Sequence, residues 1–174
     1  MRFILGGARS GKSRYAESLA KTAEESGQQV FYLATATSSD RQNHADTEML
    51  ERIKRHQSDR PSHWQTIEVP IKLAEGLVAL DDKKNCILID CLTLWTLNLL
   101  EEECFQVEKK ALLNILPNLT ADIILVSNEV GLGVVPMGKL TRCFVDELGW
   151  LHQAVAEQAE TVTFVTAGLP MHLK

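Results

Sequence analysis

The chain begins with an apolar run, MRFIL, that passes directly into GGARSGKSRY. Within that stretch Gly6 is followed by four residues and then by Gly11, Lys12 and Ser13. Few short patterns restrict a fold so tightly. A glycine-rich turn between a buried strand and a helix aims successive backbone N–H groups inward and forms a nest for phosphate oxygens. The helix starting near Lys12 adds the positive end of its dipole. Lys12 reaches the outer phosphates of a nucleoside triphosphate, and the Ser13 hydroxyl suits a Mg²⁺ ligand. The complete pattern, set between strand and helix, is far more specific than a glycine-rich turn alone. It implies a bound triphosphate and leaves its fate open: hydrolysis, transfer of the γ-phosphoryl group, or attack at the α-phosphate.

The rest of the chain continues the alternation of strand and helix. Residues 2–5 read as a buried strand, and Lys12 to about Ser26 as a helix closed by Gly27. QVFYLAT is the next strand. Residues 43–58 read as a polar helix with Met49, Leu50 and Ile53 at helical spacing, stopping before Pro61. HWQTIEV reads as a third strand, after which Pro70 opens a helix carrying Leu73, Leu77 and Leu80 on one face. CILID is a strongly apolar strand, followed by a helix over 92–102 and another ending near Pro117. DIILVSN is a further buried strand, residues 138–159 a long helix, and TVTFVTAG the last strand. Short apolar strands alternating with helices predict an α/β fold, a mostly parallel sheet flanked by helices on both faces. With no linker or repeat, residues 1–174 read as a single domain.

Composition narrows the class. A chain of 174 residues buries about 70% of its unfolded surface, enough for one substantial core. A net charge of −5 argues against a nucleic-acid partner, which favours a basic surface. No apolar run approaches the ~20 residues of a membrane span, and MRFIL is too short for a secretory signal. A cytoplasmic location is therefore expected. Cys86, Cys91, Cys104 and Cys143 form no C-x-x-C pair and have no histidine at zinc-finger spacing, so they read as reduced thiols in or near the core.

Two further features bear on chemistry. Asp90 closes the strand CILID, where phosphate-loop proteins hold Mg²⁺, directly or through water. Many ATP-hydrolysing motors follow that aspartate with a glutamate that activates water. This chain has Cys91 instead, which favours transfer to a bound acceptor. The second feature is ERIKRHQSDRP, which packs Arg52, Lys54, Arg55, His56 and Arg60 into residues 51–61. Such a run is most simply a solvated helix face. It is, however, basic within an acidic chain, and arginine suits phosphate recognition. An imidazole there can attack phosphorus to give a phosphoramidate that a second acceptor resolves. His44, His63, His152 and His172 read as surface residues, as any lone histidine does.

Taken in order, GGARSGKSRYAE, ERIKRHQSDRPSHWQTIE and SNEVGLGVVP resemble the bifunctional adenosylcobinamide kinase/adenosylcobinamide-phosphate guanylyltransferase family of cobalamin synthesis. The first motif is widely shared among nucleotide-binding proteins; the other two are far more specific. The resemblance implies a P-loop NTPase fold of RecA-like type and two reactions. In the first, the γ-phosphoryl of ATP or GTP passes to the aminopropanol hydroxyl of adenosylcobinamide. In the second, a histidine attacks the α-phosphate of GTP and releases pyrophosphate. The phosphorylated corrinoid then takes the GMP to give adenosylcobinamide-GDP. The family's histidine stands ahead of Arg-Pro and His-Trp, which places it at His56, before Arg60-Pro61 and His63-Trp64. By the same resemblance Lys12 is the second catalytic group. Nucleotide contacts come from Gly6, Gly7, Ala8, Arg9, Ser10, Gly11, Lys12 and Ser13, from Thr35, Ala36 and Thr37, from Gln57, Ser58, Asp59 and Arg60, and from Glu68 and Asp90. Ser13 and Asp90 serve Mg²⁺, and the assembly is a homotrimer. The family carries Glu in some members at Asp90, and Asn at His152. Asn128 and Glu129 end a buried strand, where they suit either ligand contact or turn formation ahead of Gly131.

Two other readings use the same loop. A RecA-like ATPase or assembly factor shares loop and sheet, but Cys91 and the short chain count against it. A non-catalytic GTP-sensing module would use His56 only to bind phosphate, yet the intact Lys12, Ser13 and Asp90 set favours catalysis.

Overall fold

A computed structural model describes residues 1–36 and 61–174. Seven strands form one sheet: β1 (Arg2–Gly6), β2 (Gln29–Ala34), β3 (Gln65–Glu68), β4 (Asn85–Asp90), β5 (Asp122–Asn128), β6 (Thr161–Thr166) and β7 (Leu169–His172). Their order is β3-β2-β4-β5-β1-β6-β7, parallel except for β7, which returns antiparallel to β6. The helices are α1 (Lys12–Glu25), α2 (Leu73–Ala79), α3 (Leu92–Glu101), α4 (Phe105–Ile115) and α5 (Lys139–Gln158), with a 3₁₀ turn at Leu116–Asn118. The expected helix over residues 43–58 lies outside the described residues.

Strand alternation sorts the core into two layers, because successive side chains leave a strand on opposite faces. Ile4, Val30, Tyr32, Leu88, Ile124 and Val126 form one layer with Ala16, Ala20 and Ala23 of α1. Those small residues at helical spacing let α1 lie close to the sheet. Phe3, Leu5, Phe31, Leu33, Ile87, Ile89, Ile123 and Leu125 face the other way, against α2 to α5. Trp95 is the largest fully buried side chain there, and its indole N–H donates to the Ile71 carbonyl at 2.8 Å. The central strands are apolar on both faces because both are covered. Among the described residues no helix is long and apolar enough to cross a membrane.

Three expectations change at their edges. The third strand is shorter than HWQTIEV, because His63 and Trp64 are drawn to α1: both ring N–H groups reach Glu24 Oε1, at 2.6 and 3.1 Å. The α2 helix begins at Leu73, three residues after Pro70. The last strand ends at Thr166, short of the Gly168 expected from sequence. Ala167 and Gly168, both at positive φ (50° and 79°), make a two-residue turn into β7, a strand the sequence pattern does not resolve. Positive φ at both central positions matches the twist of a hairpin.

Candidate phosphate-binding site

In a mostly parallel sheet, ligands gather at the carboxyl ends of the strands. Gly6, Ala34–Thr35, Glu68 and Asp90 all stand at that edge, fixed by register: Ala34 pairs with both Glu68 and Asp90, Asp90 with Val126, and Gly6 with Asn128.

The loop leaves β1 at Gly6 and enters α1 at Lys12, as its spacing requires. A Cβ on Gly6 would lie 2.5 Å from the Val165 carbonyl oxygen and 2.5 Å from Ser10 Oγ. Only glycine fits. Gly11 has φ +96°, and its missing Cβ would lie 3.1 Å from Gly168 Cα. The β6–β7 turn thus presses on the loop, and the Gly168 N–H donates to the Ser10 carbonyl at 2.8 Å. Inside the loop Ser10 N–H donates to the Gly7 carbonyl at 3.3 Å, and Arg9 takes φ +57° with its side chain exposed beside Ala8. The Lys12 side chain is 9% exposed, and its ammonium makes a long 3.4 Å contact with the Gly7 carbonyl. That bond is weak enough to exchange for a phosphate oxygen. Ser13 follows at the helix start, half-buried.

Asp90 ends β4, two strands from β1 across β5, and is half-buried. The corner after it is clamped from β2. The Thr35 hydroxyl donates to the Cys91 carbonyl at 2.7 Å and accepts from the Cys91 N–H at 2.9 Å. Asn98 of α3 donates to the Thr35 carbonyl at 2.8 Å. Thr35, named from the sequence as a nucleotide contact, is fully buried, and its hydroxyl is committed to holding the carboxylate's corner. Burial pushes the Cys91 thiol up to about 11, Asp90 adding to the rise, so it stays protonated.

Other candidates are not brought to the loop. Glu68 is exposed on the edge strand β3, four strand intervals, or about 19 Å, from β1. Ala36 is half-buried just past β2. Thr37, His56, Gln57, Ser58, Asp59 and Arg60 lie outside the described residues.

The sequence marks Asn128 and Glu129, at the tip of β5, as suited to either ligand contact or a turn, and His152 as a surface residue. His152 is instead buried, with Nε2 2.7 Å from Ser127 Oγ and Nδ1 3.8 Å from a Glu129 carboxylate oxygen. Burial lowers its pKa to about 4 against the opposing pull of Glu129. Ser127 Oγ lies 3.1 Å from Thr93 Oγ1, which accepts the Asn128 N–H at 2.7 Å. The Glu129 N–H donates to the Gly6 carbonyl at 3.1 Å, and its carboxylate accepts the Gly131 N–H. The spacing of His152 with Leu148, Leu151 and Val155 is that of a core stripe, and is the signal that could have found it.

Residues 2–173 match the family described as cobinamide kinase / cobinamide phosphate guanyltransferase. The chain is 54% identical over 174 residues to the bifunctional adenosylcobalamin biosynthesis protein CobP of Pseudomonas aeruginosa, covering 98% of this chain and 95% of that protein. It is 34% identical over 190 residues to CobU of Escherichia coli K12, covering 100% and 99%. Two solved structures share the fold at low identity. One, an isolated ATPase domain, aligns with TM-score 0.52 and 14% identity, over 94% of this chain and 68% of that one. A DnaB-like replicative helicase aligns with TM-score 0.51 and 15% identity, over 94% and 47%. They show a shared fold and go no further.

Proposed function

Because the chain belongs to the cobinamide kinase / cobinamide phosphate guanyltransferase family, we propose that a single phosphate cradle in it serves two successive transfers. In the first, ATP or GTP lies with its phosphates in the loop from Gly6 to Ser13. The hydroxyl of adenosylcobinamide attacks the γ-phosphorus, and the nucleoside diphosphate leaves with the bond's electron pair. In the second, GTP occupies the loop and His56 attacks the α-phosphorus, expelling pyrophosphate. Adenosylcobinamide phosphate then displaces the imidazole and takes the GMP. Splitting the displacement gives each step its own positioned nucleophile.

The cradle itself carries this reading. Its backbone is shaped by Gly6 and Gly11, braced by Gly168, and closed by a nearly buried lysine. Preorganised donors of this kind stabilise charge that builds on a departing diphosphate or pyrophosphate. Ser13 and Asp90 would hold Mg²⁺. Among the described residues there is no cluster of three or more metal-ligating side chains. A hydroxyl and one carboxylate suit an ion that takes its remaining ligands from phosphates and water. When bound, Mg²⁺ neutralises phosphate charge. Thr35 acts through Asp90, by fixing the corner that follows it. A homotrimer belongs to the same reading: Leu132, Val134, Val135, Met137, Leu140 and Trp150 are all more than half exposed, and exposed large apolar side chains of this kind suit a subunit contact.

The test is covalent capture. The protein is incubated with Mg²⁺ and GTP labelled at the α-phosphate, denatured, and examined for bound label that is acid-labile and alkali-stable. Label is expected on the native protein and absent from His56→Ala. Normal labelling of His56→Ala would overturn the histidine route.

A further inference from the structure

Around the cradle, most of the described strand tips are closed in at once. β1 passes into the phosphate loop, β4 into α3 after Cys91, and β6 into β7 through the Ala167–Gly168 turn. β5 is different, because residues 129–138 separate it from α5. Glu129 opens this segment with its N–H on the Gly6 carbonyl at 3.1 Å, and Val130 packs against the core. At the far end the Arg142 guanidinium donates to the Pro136 carbonyl at 3.1 Å and to the Met137 carbonyl. Fastened at both ends, the segment still turns apolar side chains to solvent. Leu132 is 81% exposed, Val134 95%, Val135 73% and Met137 97%. Residues 130–138, VGLGVVPMG, carry no charge.

Exposed apolar side chains gathered on one segment mark an interaction site. Position and charge select what covers this one. β5 lies between the strand of the phosphate loop and the strand of Asp90. The segment leaving its tip therefore borders the place where the proposed function sets the γ-phosphoryl group, and the acceptor must come to that place. A further anion there would call for cations, and residues 130–138 offer none. A corrin ring is a broad conjugated face fringed with methyl and amide groups. It takes an uncharged apolar surface without stripping water from an ion. A backbone already fastened at both ends lowers the ordering cost of binding.

We propose that residues 130–138 are the docking surface for cobinamide, with Leu132, Val134, Val135 and Met137 receiving the corrin face while the aminopropanol hydroxyl reaches the γ-phosphorus. The proposal rests on the reading of the chain as a cobinamide kinase with its triphosphate in the loop. It leaves Leu140 and Trp150 of α5 to the subunit contact.

Two measurements on the full chain test it. In equilibrium dialysis against adenosylcobinamide, the double variant Val134→Asn, Met137→Gln is expected to bind about tenfold more weakly than wild type, from apolar area no longer covered. Both positions are more than nine-tenths exposed, so the core is untouched. Affinity for N-methylanthraniloyl GTP, read by fluorescence, is expected to be the same in variant and wild type. In wild type alone, dilute peroxide is expected to oxidise Met137 to its sulfoxide freely. Saturating cobinamide is expected to stop that oxidation and to leave the oxidation of Met171, exposed on β7, unchanged. Unchanged cobinamide affinity in the variant, or equal loss for cobinamide and nucleotide, overturns the proposal. So does a Met137 already shielded from peroxide before cobinamide is added, the result expected if a second copy of the chain covers the segment. Wild-type protein that binds the nucleotide and no cobinamide sinks the proposed function itself. Normal wild-type binding with an unaffected variant sinks only the docking surface.

Discussion

The buried imidazole makes a measurable demand on stability as pH falls. His152 titrates at about 4 in the folded chain, against an ordinary value of 6.5, because burial disfavours its cation more than Glu129 favours it. Below pH 6.5 the unfolded chain takes up the proton first, so folding is penalised. The penalty grows down to about pH 4 and then levels off. Linkage converts these two values into about 2 kcal/mol of stability lost between pH 8 and pH 5, approaching about 3 kcal/mol below pH 4. The perturbation is His152→Gln, which cannot titrate. Urea unfolding of both proteins at pH 8 and pH 5 isolates the effect, because every other group is common to the pair. Wild type is expected to lose about 2 kcal/mol more than the variant over that interval. Parallel losses would refute the placement of a neutral, buried His152. A larger loss in the variant would reverse its sign.

Other substitutions test the cradle and its supports. Gly6→Ala puts a methyl group 2.5 Å from the Val165 carbonyl oxygen. Calorimetry is expected to show no triphosphate binding, and denaturation a cost of about 1–3 kcal/mol. Thr35→Val keeps the side-chain shape and strips both hydrogen bonds from the Cys91 backbone. A loss of about 1–3 kcal/mol in urea unfolding is expected, from the buried Cys91 N–H left unpaired, while the Cys91 carbonyl keeps the Trp95 N–H at 3.2 Å. Under native conditions a thiol reagent at pH 8 is expected to modify exposed Cys143 rapidly. Cys86 and Cys91, buried and pushed up to about 12 and about 11, should react only after denaturation.

Much of the fold is legible in the sequence because it is local. MRFIL followed by the glycine loop announces strand, nest and helix within fifteen residues, and CILID and DIILVSN are too apolar to be anything but covered strands. The family resemblance then follows from two rarer blocks, and the matches bear it out. What the sequence conceals depends on register. Nothing near Thr35 reveals that its hydroxyl meets the backbone of Cys91, 56 residues away. The strand β7 escapes because LPMH is exposed at every position and includes Pro170, so it carries no apolar alternation. Its turn, Ala167-Gly168, lacks the Asn or Asp that usually marks a hairpin. His152 escapes for a different reason. Its stripe on α5 is readable, but a histidine on it passes for a surface residue, since only the fold supplies Ser127 as its partner.

If one cradle serves both transfers, Lys12 is the group common to them. Wild type and Lys12→Ala are given γ-labelled ATP with adenosylcobinamide and, separately, α-labelled GTP alone. Label should pass from ATP to the corrinoid and from GTP to the protein in wild type, and both should vanish together in Lys12→Ala. A folded Lys12→Ala protein that still captures the α-label at the wild-type level would contradict the shared cradle and require a second nucleotide site.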